Sequence, residues 1–379
     1  MSRSGAARRR RVVKVGTSML RGDAERSTAA VITDLAATLA RQQRRGDAIA
    51  LVTSGAVGLG CEALGMGRRP TEVAALQAAA AVGQGRLMAL YQEAFAVRGL
   101  PVAQVLLTRG DLACRRRYRR ACRTFEQLLG WGVVPIVNEN DTLATDELRF
   151  GDNDTLSALV AVAVGADELV LLTDVDRLYS GDPRTDSEAR PIEEVRDLQE
   201  LERLSGIAGG GGRWGTGGMT TKLAAARIAT SSGVRVRLAD GRDPAVLEAL
   251  FAGRRVGTVF QPRTTPLPDR KGWLAHALVP KGVLRVDAGA EGALVHRGAS
   301  LLAVGIRAVE GEFAQQEPVR ILSADGRELG RGLSSLGSAD LRRLLAGGGE
   351  ELRERLRAMG GAVVHRDRLV LTAGAARPV

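Results

Sequence analysis

Two groups of side chains in this sequence are spaced for chemistry. The first surrounds one apolar run: Val133-Val134-Pro135-Ile136-Val137 passes into Asn138-Glu139-Asn140-Asp141. A short apolar run bounded by polar residues reads as a buried strand. A few residues on, Gly151-Asp152-Asn153-Asp154 opens an apolar helix from Thr155 to Gly165. Asn138, Asp141 and Asn153 are therefore expected to converge near a strand's C-terminal end, where open α/β sheets bind ligands. Amides with carboxylates suit an ammonium group or a metal ion. One of Asp152, Asn153 and Asp154 is expected to cap the helix; three in succession exceed what capping requires.

The second group is ammonium. Of 54 basic residues only Lys14, Lys222, Lys271 and Lys281 are lysines. A chain that uses arginine for surface charge and keeps a lysine points to a site needing a compact ammonium rather than a planar fork. Lys14 and Lys222 lie in glycine-rich strand–loop–helix contexts, near Gly16-Thr17-Ser18 and at the end of Gly215-Thr216-Gly217-Gly218-Met219-Thr220-Thr221-Lys222. Ser54-Gly55 is a third such turn. Glycines let backbone N–H groups approach an anion, and a following helix N-terminus adds a favourable dipole. Lysine neutralises phosphate as a point charge. Each turn alone is ordinary punctuation between strand and helix, and strand-terminal Asp174 alone is a common cap. Two lysine-bearing turns together point to phosphate. The chain has no G-x-x-x-x-G-K-[ST], and Gly55-Ala56-Val57-Gly58-Leu59-Gly60 lacks the dinucleotide spacing. Protein-kinase signatures are also absent. Residues 205–218, with the run Gly209 to Gly212, read as a lid over this region.

These side chains need a scaffold, and the pattern supplies one. Strands are expected at 12–15, 48–52, 102–107, 133–137, 168–172 and 234–238. Helices are expected at 27–45, 71–98, 111–130, 154–165 and 219–232. Continuous apolar strands alternating with helices imply a mainly parallel sheet covered on both faces, an α/β three-layer αβα sandwich. Past residue 260, Gln261 to Pro268 holds three prolines in eight residues and reads as a linker. Short strands are expected beyond it at 283–286, 292–295, 301–304, 318–322 and 328–331, with a helix at 338–345. Such strands suggest a small β-barrel-like module. The expected boundaries are a basic, flexible tail at 1–11, a catalytic domain at 12–262, a linker at 263–278, the second module at 279–358 and a C-terminal extension at 359–379.

Composition narrows the function. The apolar share of 45% supports a full core. No uninterrupted apolar run reaches a membrane span of roughly 18 residues, and Lys14 and Gly16 break the segment after Arg8 to Arg11 too early for a signal peptide. A cytoplasmic protein without a membrane role is expected, with Cys61, Cys114 and Cys122 as reduced thiols. All three histidines, His276, His296 and His365, lie in the last quarter. The catalytic domain must work without imidazole. The net charge of +11 invites a nucleic-acid reading, but five arginines within 1–11 and six within 115–123 account for all of it. The Arg115 to Arg120 cluster reads as a solvated helix face.

Val12 to Ser18, Val52 to Ala56, Ala80 to Gln84, Ile136 to Asp141, Gly151 to Asp154, Leu171 to Asp174 and Gly215 to Lys222, in that order, resemble the glutamate-phosphorylating branch of the amino acid kinase family. The likeness covers residues 12 to about 260, and the remainder is similar to a PUA domain. The resemblance implies ATP-dependent phosphorylation of the L-glutamate side-chain carboxylate, the first step towards proline. It implies Mg²⁺ on the ATP phosphates with no metal ligand among the protein side chains, feedback inhibition by proline, and a homo-oligomer, a dimer or a tetramer. Carried over, Ser54, Asp141 and Asn153 bind glutamate with Asn138 nearby. Thr173, Asp174 and the run Thr216, Gly217, Gly218, Met219, Thr220, Thr221 and Lys222 bind ATP. Lys14 and Lys222 sit on the phosphates, and Asp154 positions them. A glutamate carboxylate, with a pKa of about 4.3, is already ionised near neutral pH and needs no general base. That agrees with a catalytic domain lacking histidine. The rivals are a same-fold kinase for another carboxylate or carbamate, and an RNA-binding protein. Asp141 favours a free amine over an acylated one. The few C-terminal aromatics, Trp273 and Phe313, disfavour dedicated RNA binding.

Overall fold

The computed structural model describes residues 8–21, 26–108, 111–112, 115–143, 153–183, 186–197, 199–201, 203–204, 218–263, 280–347, 350–358 and 360–371. The chain divides into two compact units, Met1–Leu267 and Pro268–Val379. The expected linker falls almost wholly outside the described residues, as do Asp152, Thr216, Gly217, Cys114, Lys271 and most of the expected lid.

Among the described residues, ten strands belong to the N-terminal unit: β1 (Arg10–Val15), β2 (Ala48–Val52), β3 (Val102–Leu107), β4 (Val134–Glu139), β5 (Glu168–Thr173), β6 (Leu178–Tyr179), β7 (Pro191–Ile192), β8 (Glu194–Val195), β9 (Arg235–Asp240) and β10 (Thr258–Phe260). Strands β6 and β7 pair with each other. The other eight form one sheet in the order β3-β4-β2-β1-β5-β9-β10-β8. From β3 across to β9 every pairing is parallel, and β10 is antiparallel to β9. Side chains alternate across a strand. Val13 and Val15, with Ile49, Leu51, Ile136, Val170 and Leu172, pack under the helices Thr28–Arg44, Val73–Ala96 and Pro244–Phe251. The helices Arg115–Gly130, Asn153–Ala163 and Gly218–Ser231 cover the other face, where Val12 and Lys14 point. This is the expected three-layer sandwich.

Local signals explain the helices. Ser27 accepts from the Ala30 backbone N–H at 3.2 Å and starts Thr28–Arg44. Ile32, Leu35 and Leu39 form its buried stripe, and Arg41 and Arg44 sit at its negative end. The helix Val73–Ala96 is held against Ala56–Ala63 by two glycines. A Cβ at Gly83 would lie 1.8 Å from the Ala56 carbonyl oxygen, and one at Gly60 would lie 1.8 Å from that of Ala79. No other residue allows this approach, which lowers the long helix onto the strand ends. Val73–Ala96 is also the one helix among the described residues long and apolar enough to cross a membrane. No such segment was expected; Gln84 and Arg86 interrupt the apolar run, whereas mean hydropathy averages over them. Buried Ala80, Gly83, Leu87, Tyr91 and Phe95 make it a layer of this fold.

The basic tail ends earlier than expected. Arg10 and Arg11 belong to β1, and Arg11 is 4% exposed. Its guanidinium pairs with Asp47 at 2.9 Å and Glu168 at 3.5 Å and lies 4.8 Å from the Phe251 ring centre. Arg237 also holds Glu168, at 2.7 Å. Buried charges require such partners. Arg116, Arg117, Arg119 and Arg120 are exposed beside buried Tyr118, the solvated face expected.

In the C-terminal unit β11 (Gly282–Val286), β12 (Ile306–Gly311), β13 (Pro318–Leu322), β14 (Glu328–Leu333) and β15 (Leu369–Leu371) form a sheet in the order β12-β11-β13-β14-β15. The helices Ala288–Arg297, Ser338–Leu345 and Glu350–Ala358 accompany it. Two expected strands are absent. Residues 292–295 lie inside Ala288–Arg297, whose start is capped by Asp287 on the Ala290 N–H at 2.8 Å and whose end turns at left-handed Gly298. Caps outweigh the short apolar run Ala293-Leu294-Val295. At 301–304 only an isolated Leu301–Val364 bridge and the 3-10 turn Ala303–Gly305 occur, and the strand itself is β12. Residues 359–379, expected as an extension, begin inside this unit: Val363, Val364 and Leu369 enter its core and β15 pairs with β14.

Candidate active site

Register places the chemistry on one edge of the sheet. Lys14 is paired with Val52 on one side and Leu171 on the other, and Val52 is paired with Val137. The ends of β4, β2, β1 and β5, adjacent in that order, therefore present Asn138, Thr53-Ser54, Lys14 and Thr173 together. Parallel strands expose this C-terminal edge to ligands. Two helices begin above it, one at Asn153-Asp154 and one at Gly218.

Asp154 joins the two lysines. Its Oδ1 lies 2.6 Å from the Lys14 Nζ and its Oδ2 lies 3.1 Å from the Lys222 Nζ. The Thr221 hydroxyl donates to Oδ2 at 3.1 Å. Asp154 is 1% exposed and Lys14 5%. Burial alone pushes the Asp154 carboxyl up; the Lys14 and Lys222 ammonium groups and their hydrogen bonds override that and hold it below the usual carboxylate range. Both ammonium groups lie close to glycine. A Cβ at Gly16 would come within 3.3 Å of the Lys14 Nζ, and the Lys222 Nζ donates to the Gly218 carbonyl at 3.2 Å. One carboxylate between two ammonium groups leaves a positive surplus in a desolvated place. Such a cluster draws an anion.

Beside it lies a cluster of amides. The two hydrogens of the Asn153 Nδ2 are shared among the Thr53 carbonyl at 2.5 Å, the Ser54 hydroxyl at 3.0 Å and the Asn138 Oδ1 at 2.9 Å. The Glu139 backbone N–H donates to the same Oδ1 at 2.9 Å, and the Asn138 Nδ2 donates to the Gln84 Oε1 at 2.8 Å. Thr53 and Tyr91 hydroxyls are 2.8 Å apart. Complete burial pushes the Tyr91 phenol well above its ordinary range, so it stays protonated. Gln84, Leu87 and Tyr91 fall on one face of Val73–Ala96. The cluster thus joins Asn153, from one helix layer, to Gln84 and Tyr91, from the opposite layer, through Asn138 and Thr53.

Of the residues expected at the site, Lys14, Lys222 and Asp154 meet, and Asn138, Asn153 and Ser54 meet. Thr221 touches Asp154. Thr173 is buried at the end of β5, and its hydroxyl donates to Asp174 at 3.1 Å. Asp174, Gly218 and Thr220 are exposed, and Met219 is half-buried. Asp141 is half-buried in the turn two residues beyond β4. Thr53, Tyr91 and Gln84 received no role from the sequence. Gln84 was visible only as part of a motif, and the helix spacing to Tyr91 was the signal that it faces the strand ends.

Two lysines that share one buried carboxylate thus stand at the C-terminal edge of a mainly parallel sheet. Residues 9–240 match the model of the amino acid kinase family, and residues 282–356 match that of the PUA domain. The chain belongs to the amino acid kinase family. It is 60% identical over 361 residues to glutamate 5-kinase of Prochlorococcus marinus (strain MIT 9313), covering 95% of this chain and 98% of the relative. It is 61% identical over 360 residues to glutamate 5-kinase of Synechococcus sp. (strain CC9902), with the same coverage of each. Among solved structures, carbamate kinase from Giardia lamblia bound to AMP-PNP matches with a TM-score of 0.50 at 17% identity, covering 68% of this chain and 99% of that one. That likeness concerns the fold.

Proposed function

We propose that this chain transfers the γ-phosphoryl group of ATP to the side-chain carboxylate of L-glutamate, giving L-glutamyl 5-phosphate, the acyl phosphate that opens proline biosynthesis. The observation that carries the reading is the Lys14–Asp154–Lys222 cluster, with 2.6 Å and 3.1 Å contacts, set beside a cluster of amides. The 60% identity to glutamate 5-kinases over nearly the full chain supports it.

In this mechanism Lys14 and Lys222, held by Asp154, contact the triphosphate and offset charge as the phosphoryl group moves. Asn153, Asn138 and Ser54 hold glutamate, and Asp141 accepts from its ammonium group. A carboxylate oxygen attacks the γ-phosphorus, the bond to ADP breaks, and no proton need be removed. Catalysis is then placement and charge neutralisation. Thr173, Asp174 and residues 216–222 line the nucleotide side. Mg²⁺ bound on the phosphates would share with Lys14 and Lys222 the task of offsetting their charge.

The reading includes proline as an inhibitor and the cytoplasm as the place of reaction, where thiols such as Cys61 and Cys122 stay reduced. It also includes a homo-oligomer. Exposed Leu64, Met66 and Val82, on and beside the apolar helix Val73–Ala96, support a contact between copies. Phe313, the one described aromatic of the C-terminal unit, is buried in its core and offers no base-stacking face, which weighs against dedicated RNA binding.

Hydroxylamine traps an acyl phosphate as a hydroxamate and tests the substrate directly. With purified protein, ATP and Mg²⁺, L-glutamate is expected to give hydroxamate. Aspartate and N-acetylglutamate are expected to give less than about a hundredth as much at equal concentration, the discrimination buried polar groups provide. A better yield from either would overturn the proposal.

A further inference from the structure

One donor in the amide cluster has no hydrogen-bond partner. The Gln84 Nε2 is buried and makes no hydrogen bond. Its direction follows from the backbone rather than from an arbitrary choice of amide rotamer. The Glu139 N–H can only donate, and it donates to the Asn138 Oδ1. That oxygen also accepts from Asn153, so the Asn138 Nδ2 must face the other way. It faces Gln84, which can answer only with its Oε1, at 2.8 Å. The Gln84 Nε2 is left with its hydrogens and without an acceptor. A buried donor in that state gives up its water without compensation. Nothing in the packing of Val73–Ala96 calls for it: Gly83 makes the close helix contact, while Leu87 and Tyr91 fill the core.

We infer that Gln84 reads the acceptor substrate: its Nε2 donates to a carboxylate of the bound amino acid, while its Oε1 holds the Asn138–Asn153 amides in one orientation. The inference rests on the proposed glutamate site and adds a residue to it. The acceptor Gln84 awaits is a carboxylate oxygen because the amino acid's remaining polar group, its ammonium, can only donate. Gln84 enters from the helix layer opposite to Asn153, so substrate is gripped from both faces of the sheet. An amide supplies this bond without adding another full positive charge near the nucleophile.

Gln84→Glu tests it. The substitution keeps the shape and the acceptor for Asn138 but replaces the donor with negative charge. The KM for L-glutamate is expected to rise roughly 10- to 100-fold, the range lost when one buried hydrogen bond to a charged group is removed. The KM for ATP is expected to stay within about twofold, because the change falls on the amino-acid side of the site. A purely structural role would lower the melting temperature and disturb both substrates alike. A glutamate KM within about twofold of wild type overturns the assignment. Wild-type protein labelled with ¹⁵N-glutamine gives an independent reading that requires no variant to fold. On adding L-glutamate the Gln84 side-chain amide protons are expected to shift and to exchange more slowly with solvent; unchanged resonances in the presence of bound glutamate overturn the inference. A wild type that turns over no glutamate overturns the substrate reading and this assignment with it, whereas an active wild type with an unaffected Gln84→Glu overturns this assignment alone.

Discussion

Lys14→Ala is expected to lower kcat by about 10²- to 10³-fold while changing the KM for L-glutamate by less than about threefold, the signature of an interaction made in the transition state. The reason is position. Lys14 is the penultimate residue of the central strand β1 with its neighbours in register on both sides, is 5% exposed, and lies 2.6 Å from Asp154. Its ammonium is therefore fixed before any anion arrives and requires little reorganisation during the reaction. Lys14→Arg is not expected to restore the rate. The guanidinium is larger and planar, and the turn at Gly16 leaves 3.3 Å between a would-be Cβ and the Lys14 Nζ. Steady-state kinetics with both substrates varied separate the outcomes. An unchanged kcat in Lys14→Ala would remove the residue from the mechanism.

The second large effect is at Asp154. Asp154→Asn keeps the shape but leaves two ammonium groups facing a neutral amide in a nearly dry place. Breaking a buried pair in this way costs on the order of 3–5 kcal/mol of stability, and kcat is expected to fall by about 10²-fold as both lysines lose their alignment. The pH dependence has a definite sign. The folded-state pKa of Asp154 lies below its unfolded value of about 3.9, because the Lys14 and Lys222 ammonium groups outweigh burial. The unfolded chain then binds more protons than the folded one over that interval, so stability rises with pH there. The contribution is fully present above the ordinary carboxylate range and is lost as pH falls through the lower folded value. Urea unfolding between about pH 5 and pH 2 is expected to show a steeper acid loss in wild type than in Asp154→Asn. Equal slopes would mean that Asp154 carries no such linkage.

How much of this was legible beforehand depends on whether the information is local. The strand at 48–52 coincides with β2, because a strand buried on both faces must be apolar throughout; 102–107 coincides with β3, whose apolar run survives at the sheet edge with only Gln104 turned out. Lys14 and Lys222 stood out through scarcity among arginines. That they share Asp154 was implied by family resemblance; the contact itself is tertiary, joining β1, the start of Asn153–Ala163 and the first turn of Gly218–Ser231. The C-terminal unit shows where local reading fails. Ala293-Leu294-Val295 looks like a strand by composition, yet Asp287 and Gly298 fix both ends of a helix around it. Arg10 and Arg11 read as tail by charge, because the acids that bury Arg11 lie at Asp47 and Glu168. Gln84 belongs to the same class. Its amide direction is set by a backbone N–H on β4, more than 50 residues away in sequence.

The central claim is that two lysines from separate turns act on one triphosphate next to a pocket holding an amino acid by its polar ends. A crystal structure with a non-hydrolysable ATP analogue and L-glutamate measures this directly. The account predicts the Lys14 and Lys222 Nζ atoms within about 3.2 Å of phosphate oxygens, with the glutamate side-chain carboxylate turned towards the γ-phosphorus and its ammonium group towards Asp141. A triphosphate bound away from either lysine, or a glutamate whose α-carboxylate faces the nucleotide, would contradict it.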